Sequence, residues 1–277
     1  MKTLAVTRPL GEGDDTAEFI RQLGWQSLIF HTVELKPRNA EEIFSELRTV
    51  LSEGPVDYLA FMNPKGVSLL FDVLKTHPST LPGALGHLHI VAVGPKTREA
   101  LLSQGVQEVL MPEDYSSTGV AGLLSRVSLK GKRVILGRSA EASDVLAKAL
   151  TAKGAVVRTL RLYDSSTPTD RNSVLRCLEG LRKNRFQGVL FTSAVSVSNL
   201  FKMAKGSMSP NDLVEHLTHS LVGAIGPATA KRLREFGIEL HVTPARHLIN
   251  EAIRALAEAC ETRRASGAAL QAEVGPR

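Results

Sequence analysis

HIVAVGPKTREALLSQGV at 89–106 and LVGAIGPATAKRLREFGI at 221–238 decide the fold, because they are one pattern written twice. Each opens with a short apolar run, breaks at Gly-Pro and continues with apolar residues at helical spacing. That order predicts a strand, a tight turn and a helix. Gly94, Pro95, Thr97 and Gly105 fall on Gly226, Pro227, Thr229 and Gly237 at an offset of 132. Upstream, KTLAVTRPL at 2–10 resembles KRVILGRSA at 132–140, and VDYLAFMNPKGVSLLFDVL at 56–74 resembles FQGVLFTSAVSVSNLFKMA at 186–204, both at an offset of 130. Three matches in one order at a nearly constant offset predict a duplication.

Each copy alternates strand-like and helix-like stretches, so parallel sheets covered by helices on both faces are expected. LAVTR, YLAFM, EVLM, RVILG, GVLFT and ELHVT are among the strands. AEEIFSELRTVLSE, GVSLLFDVLK, SVLRCLEGLRKN and INEAIRALAEAC are among the helices. Two extended stretches, FHTVELKPRNAEE from Phe30 and RTLRLYDSSTPTDRN from Arg158, follow the first βαβ unit of each copy and read as linkers. The end of the chain, small and polar from about Glu261, is expected to fray.

A chain of 277 residues, 43% hydrophobic and 22% charged, has room for two cores. No run is long and apolar enough for a membrane span, and the start reads as a strand rather than a secretory signal. Cys177 and Cys260, without metal-type spacing, predict no disulfide framework and a reducing, cytoplasmic setting. Net charge is +6, split into −3 for residues 1–130 and +9 for 131–277. A basic half suits an anionic partner. That partner could be nucleic acid or a polycarboxylate; no dense basic run or nucleic-acid motif is present, and a solvated basic surface without a partner is the plainer reading.

The sequence contains no phosphate-binding loop, no GxGxxG after a strand, no HExxH and no GxSxG. Its histidines, among them His77, His87, His89, His216, His219, His241 and His247, share no spacing. The repeated turns carry more information. Gly94-Pro95-Lys96-Thr97 and Gly226-Pro227-Ala228-Thr229 each follow a strand and open a helix, whose first N–H groups suit an anion. The plainer reading is an ordinary turn capped by Thr. Asn63, Lys65 and Gly66 in one copy, and Thr192, Ser193 and Ser196 in the other, stand where a strand runs into a helix. Ligands gather at such edges of α/β sheets, although Asn63 and Ser193 are equally suited to plain N-capping. Arg8 and Arg138 occupy equivalent strand ends, where either could pair with a carboxylate. Tyr163, one of three tyrosines, lies in the second linker as a hydrogen bonder, proton donor or packing residue.

The TRP at Thr7–Pro9, the LxLYD at Leu160–Asp164, the FTSxxxV from Phe191 and the IGPxTAxxLxxxGI from Ile225 together resemble the uroporphyrinogen-III synthases, over roughly residues 3–258. The resemblance implies two flavodoxin-like parallel-sheet domains joined by a two-stranded β-ladder. Carried over, one domain holds 1–34 plus 167–262 and the other 39–161. The ladder is 31–38 and 159–166, and 263–277 is a disordered tail. It further implies a cofactor-free cyclisation of hydroxymethylbilane, a linear polycarboxylate tetrapyrrole, in the cleft between the domains; because few chain segments join those domains, hinge motion about the paired linkers is expected. Ring D is inverted and water is lost through an azafulvene cation and a spiro intermediate. Tyr163 matches the tyrosine thought to assist departure of the hydroxyl. Transient contact with hydroxymethylbilane synthase, which makes the unstable substrate, is an expected partnership. Ala228 replaces the first Thr of the common G-P-T-T, and Ala194 replaces a frequent Pro, which leaves those positions a backbone role only. The same departures suit an alternative, an inactive tetrapyrrole-binding or regulatory homologue.

Overall fold

The computed structural model describes residues 2–77 and 88–273, with the backbone alone over 267–273. Contacts divide the chain into two units. Unit 1 is Met1–Glu34 with Ser166–Arg277, and unit 2 is Leu35–Ser165.

Unit 1 opens with β1 (Thr3–Pro9), α1 (Asp14–Gln22) and the start of β2 (Gln26–Pro37), which continues into unit 2. It resumes after β7 (Val156–Ser166) with α7 (Asn172–Arg182), β8 (Gly188–Phe191), α8 (Ala194–Ala204), α9 (Pro210–Thr218), β9 (Leu221–Ala224), α10 (Pro227–Glu235) and α11 (Ile249–Glu273). Its strands run parallel in the order β2-β1-β8-β9. One face packs against Phe30, Phe191, Leu200 and Leu233, and the other against Leu4, Ile20, Leu190 and Leu256.

Unit 2 holds α2 (Ala40–Ser52), β3 (Tyr58–Phe61), α3 (Pro64–Thr76), β4 (His89–Ala92), α4 (Pro95–Ser103), β5 (Val109–Leu110), α5 (Ser117–Leu124), β6 (Arg133–Ser139), α6 (Val145–Thr151) and β7. Its order is β5-β4-β3-β6-β7, again parallel. Its strands β3 and β6, and β4 beyond His89, are buried on both faces, as their continuous apolar runs require, whereas β5 and β7 carry exposed residues.

Strand register carries the duplication into three dimensions. Thr3 pairs with Gln26 and Arg133 with Val156; Leu4 pairs with Gly188 and Val134 with Tyr58. Gly188 pairs with Leu221 and Tyr58 with His89, so the register keeps both sequence offsets. The copies exchange halves: β1-α1-β2 of the first copy shares a sheet with β8 and β9 of the second, while β6-α6-β7 joins β3 and β4.

The glycines after matched helices share a conformation only glycine adopts readily. Gly24 and Gly154 have φ 78° and 89°, and Gly105 and Gly237 have φ 87° and 74°.

Three expectations are amended. ELHVT is no full strand: its contact with β9 is a single bridge, Gly223 to Val242. The helix α9, absent from the expected elements, buries Leu213 and Leu217 one turn apart and is started by Ser209, whose hydroxyl accepts the Asp212 N–H at 3.1 Å, and by Pro210 in the first turn. The stretch 263–273, expected to be loose, continues α11, because its Ala-rich composition propagates a helix already anchored by Ala252, Ile253, Leu256 and Cys260. Residues 274–277 and His87 lie outside the described residues.

Candidate functional site

In a parallel sheet all carboxyl strand ends meet at one edge, so β1, β8 and β9 bring Arg8, Thr192, Ser193, Ser196 and Gly226 to one edge of unit 1. The strands β3, β4, β6 and β7 bring Asn63, Gly66, Gly94, Arg138 and Tyr163 to the corresponding edge of unit 2.

The edge of unit 1 is closed upon itself. The Ser193 hydroxyl accepts the Ser196 N–H at 3.0 Å, and the Ser196 hydroxyl accepts the Ser193 N–H at 3.3 Å and donates to the Ser193 carbonyl at 2.6 Å. Thr7 Oγ1 accepts the Thr192 N–H at 2.8 Å, and Thr192 Oγ1 donates to the Thr7 carbonyl at 2.7 Å. Thr32 Oγ1 donates to the Ser196 carbonyl, and Asn199 Nδ2 to the Thr32 carbonyl. Thr7, Thr32, Ser196 and Asn199 are buried. Buried polar groups need such partners, and here the hydroxyls find them within the fold. Sequence reading missed Thr7, Thr32 and Asn199; the available signal was a polar residue interrupting an apolar run, in two strands and on the buried side of the helix that follows Ser193. Arg8 pairs with Glu12 at 2.7 Å, and its carbonyl faces His31 Nδ1 at 3.1 Å.

The edge of unit 2 is built around a phenol. Asn63 caps α3, its Oδ1 accepting the Gly66 N–H at 2.8 Å, and its Nδ2 donates to the Tyr163 hydroxyl. Tyr163 is 4% exposed, its ring packed in the unit 2 core. Burial raises the phenol above its ordinary range, and the Glu141 charge adds to the rise. The bond from Asn63, the Ser139 backbone N–H and the Arg138 charge pull the other way. Arg138 is 5% exposed and donates to the Ser143 carbonyl at 2.6 Å and Thr159 Oγ1 at 3.1 Å, with Asp144 at 3.5 Å. Burial draws its pKa down, against the pull of Asp144 and Tyr163. A guanidinium keeps its proton near neutrality all the same. Glu141 is pushed up by burial, but hydrogen bonds from the Ser139 hydroxyl at 2.6 Å and the Ser165 N–H at 2.7 Å leave it below the usual carboxylate value. Lys65, partly exposed, stands at the start of α3, where unit 1 has Val195.

Both Gly-Pro turns cap their helices, but not for the reason the sequence suggests. Gly94 and Gly226 have φ −169° and −173°, an extended backbone open to any residue. What crowds a side chain there is a neighbour from elsewhere in the chain: a Cβ on Gly94 would sit 3.3 Å from Tyr115 Cβ, and one on Gly226 3.0 Å from the His247 imidazole, so either neighbour would have to give by a few tenths of an ångström. Thr97 and Thr229 are buried in the first turns and make no capping hydrogen bond, which corrects the expectation of a Thr cap. Ala228 is exposed. The first-turn N–H groups therefore have no side-chain cap at either turn.

On unit 2, a depression of about 470 Å³ is lined by Arg38, Glu42, Glu46 and Arg161, whose charges pair with one another. None of the expected site residues lines it. Among the described residues no three His, Cys, Asp or Glu side chains gather in a form that could hold a metal, and no helix is long and apolar enough to cross a membrane.

The sequence profile of the uroporphyrinogen-III synthase HemD family matches residues 14–254. A candidate uroporphyrinogen-III synthase from Methanothermobacter thermautotrophicus is 32% identical over 255 residues, covering 92% of this chain and 97% of that one. The uroporphyrinogen-III synthase of Chlorobaculum parvum is 24% identical over 245 residues, covering 88% and 93%. Among solved structures, a mutant uroporphyrinogen III synthase from Thermus thermophilus superposes with a TM-score of 0.67 at 23% identity, over 95% of this chain and 100% of that one, which shows a shared fold.

Proposed function

The chain belongs to the uroporphyrinogen-III synthase family, and from that premise we propose that it cyclises hydroxymethylbilane, inverting the terminal ring D and releasing water, to give uroporphyrinogen III. In this reading the two contact units correspond to the family's two flavodoxin-like domains, with 31–38 and 159–166 as the connecting segments.

The observation that carries the proposal is the phenol of Tyr163, held at the carboxyl edge of unit 2 by a capped asparagine. The reaction begins when the C–O bond of the substrate's hydroxymethyl group breaks. Hydroxide is a poor leaving group, and a proton delivered as the bond lengthens makes it water. A phenol that burial keeps protonated through the neutral range is available to deliver that proton. The phenolate left behind lies in the field of Arg138, and the proton that the product later sheds restores it. The departing oxygen takes the bonding pair, leaving an azafulvene cation that ring D attacks.

The rest of the task is conformational. The open-chain substrate must present the substituted carbon of ring D, and holding that geometry lowers the entropic part of the barrier. The first-turn amides after Gly94 and Gly226, with Lys65 at the start of α3, suit the substrate's carboxylates. In unit 1 the hydroxyls of Thr192, Ser193 and Ser196 are committed to the fold, so the proposed contribution there comes from Arg8 and the backbone N–H groups of Ala228 and Thr229.

The test is an isomer assay. Purified protein with hydroxymethylbilane is expected to form the III isomer with no added cofactor. Formation of only the I isomer, at the rate seen without protein, overturns the proposal.

A further inference from the structure

Asn63 is read from sequence as a substrate contact or a plain helix cap. Its geometry supports a third role. The Gly66 backbone N–H can only donate, so the Asn63 atom 2.8 Å from it is the carbonyl oxygen Oδ1. The amide nitrogen must then face Tyr163, and an amide nitrogen can only donate. The phenol oxygen accepts that bond and lies beside the Ser139 backbone N–H as well. With its acceptor side turned to these donors, its own proton points at neither.

We propose that Asn63 is a positioning residue: the cap on α3 fixes its amide, the fixed amide makes the Tyr163 oxygen an acceptor, and the tyrosine proton is thereby aimed away from the protein at the departing hydroxyl. The proposal rests on the role given to Tyr163 above. The matching position of the other copy supplies a control. Ser193 caps α8 through the Ser196 N–H at 3.0 Å. A serine at position 63 would keep the cap and lose the donor. Asn63→Asp also keeps the cap but turns an acceptor to the phenol, reversing the bond. The charged groups facing Tyr163 are Arg138 at the end of β6, which favours the phenolate, and Glu141 just beyond it, which opposes it.

Two measurements test the inference. In the assay above, Asn63→Ser is expected to lower kcat about tenfold with KM within about twofold, and Asn63→Asp to lower it further. In a Tyr163→Phe background, Asn63→Ser is expected to change turnover by less than about twofold, because it acts only through the phenol. Independent, multiplying losses would mean that Asn63 meets substrate directly, and would overturn the proposal. The second measurement needs no turnover. Protein labelled with [ζ-¹³C]tyrosine carries three tyrosines, and the Tyr163 signal is the one lost in Tyr163→Phe. Its titration is expected to move to higher pH in Asn63→Ser and further in Asn63→Asp, with the circular dichroism spectrum unchanged. An unmoved titration in both variants overturns the inference even if the protein makes the III isomer. A moved titration in a protein that makes only the I isomer sustains the Asn63–Tyr163 coupling and removes the reaction assigned to it. Should Asn63→Ser lose its fold, Asn63→Asp carries both measurements.

Discussion

At the strand-to-helix join of unit 1, Thr7, Thr32 and Ser196 direct their hydroxyls to backbone groups and to one another. At the matching join of unit 2 the same positions are Gly137, Leu162 and Gly66, and space that hydroxyls fill in one unit is filled by Leu162 and Phe61 in the other. A Cβ on Gly137 would lie 3.2 Å from both side chains, and one on Gly66 3.3 Å from Leu162 and from Asn63 Oδ1. Position 163 is a tyrosine where the other copy has Val33. The two joins keep the same strand register and the same cap on the following helix. A duplicated backbone has thus been furnished twice: one join has its polar groups satisfied internally, and the other delivers a phenol to the edge of its sheet.

The largest expected effect falls on the residue without a polar counterpart. Tyr163→Phe should lower turnover by about 10²-fold or more, the range for loss of a general acid, while the urea midpoint barely moves. Unchanged turnover would remove the functional side of the comparison. Exchanging residues between the joins sharpens its structural side. Gly137→Thr, which installs the unit 1 residue in unit 2, should overpack the join and cost about 1–3 kcal/mol by urea unfolding. Thr7→Val, which strips the unit 1 hydroxyl and leaves the Thr192 N–H without its acceptor, should cost about 1–3 kcal/mol. If both are neutral, the two joins are interchangeable and the contrast has no energetic content.

The smallest effect is the share of the alkaline pH dependence that belongs to Tyr163. The folded-state pKa of Tyr163 is raised above its ordinary 10.0 by burial. Its contribution to stability is therefore full below about pH 10 and is lost as pH rises through the folded value. Urea unfolding of wild type against Tyr163→Phe should show wild type losing more stability between about pH 9 and pH 11. Parallel curves would mean that the phenol ionises as freely in the fold as in water.

Much of this was legible before any coordinates. The offsets of 130 and 132 reappear as strand register, because a slip of one residue would send every side chain to the opposite face of the sheet and into the wrong helical layer. The turns at Gly94 and Gly226 were visible as Gly-Pro after a strand, but the side chains of Tyr115 and His247 that crowd those positions come from elsewhere in the chain. The buried polar cluster of Thr7, Thr32 and Asn199 was invisible for a similar reason, since its members lie on three separate elements. The exchange of halves was out of reach of the residue pattern itself and came only from the family resemblance. Periodicity says which residues form a strand and nothing of which strand lies beside it. Tyr163 could be picked out by scarcity and position, whereas its tie to Asn63 spans 100 residues.

That exchange of halves has a consequence for how the chain is made. Unit 2 is one uninterrupted stretch, Leu35–Ser165, and can close its core while still attached to the ribosome. Strand β1 must wait for β8, whose first residue is Gly188. At about 5–20 residues per second, roughly 10–30 s pass with Leu4 and Val6 lacking the neighbours that will cover them. The first segment to leave the ribosome is therefore among the last to be sheltered, and molecular chaperones have most reason to attend to the first 34 residues of this protein.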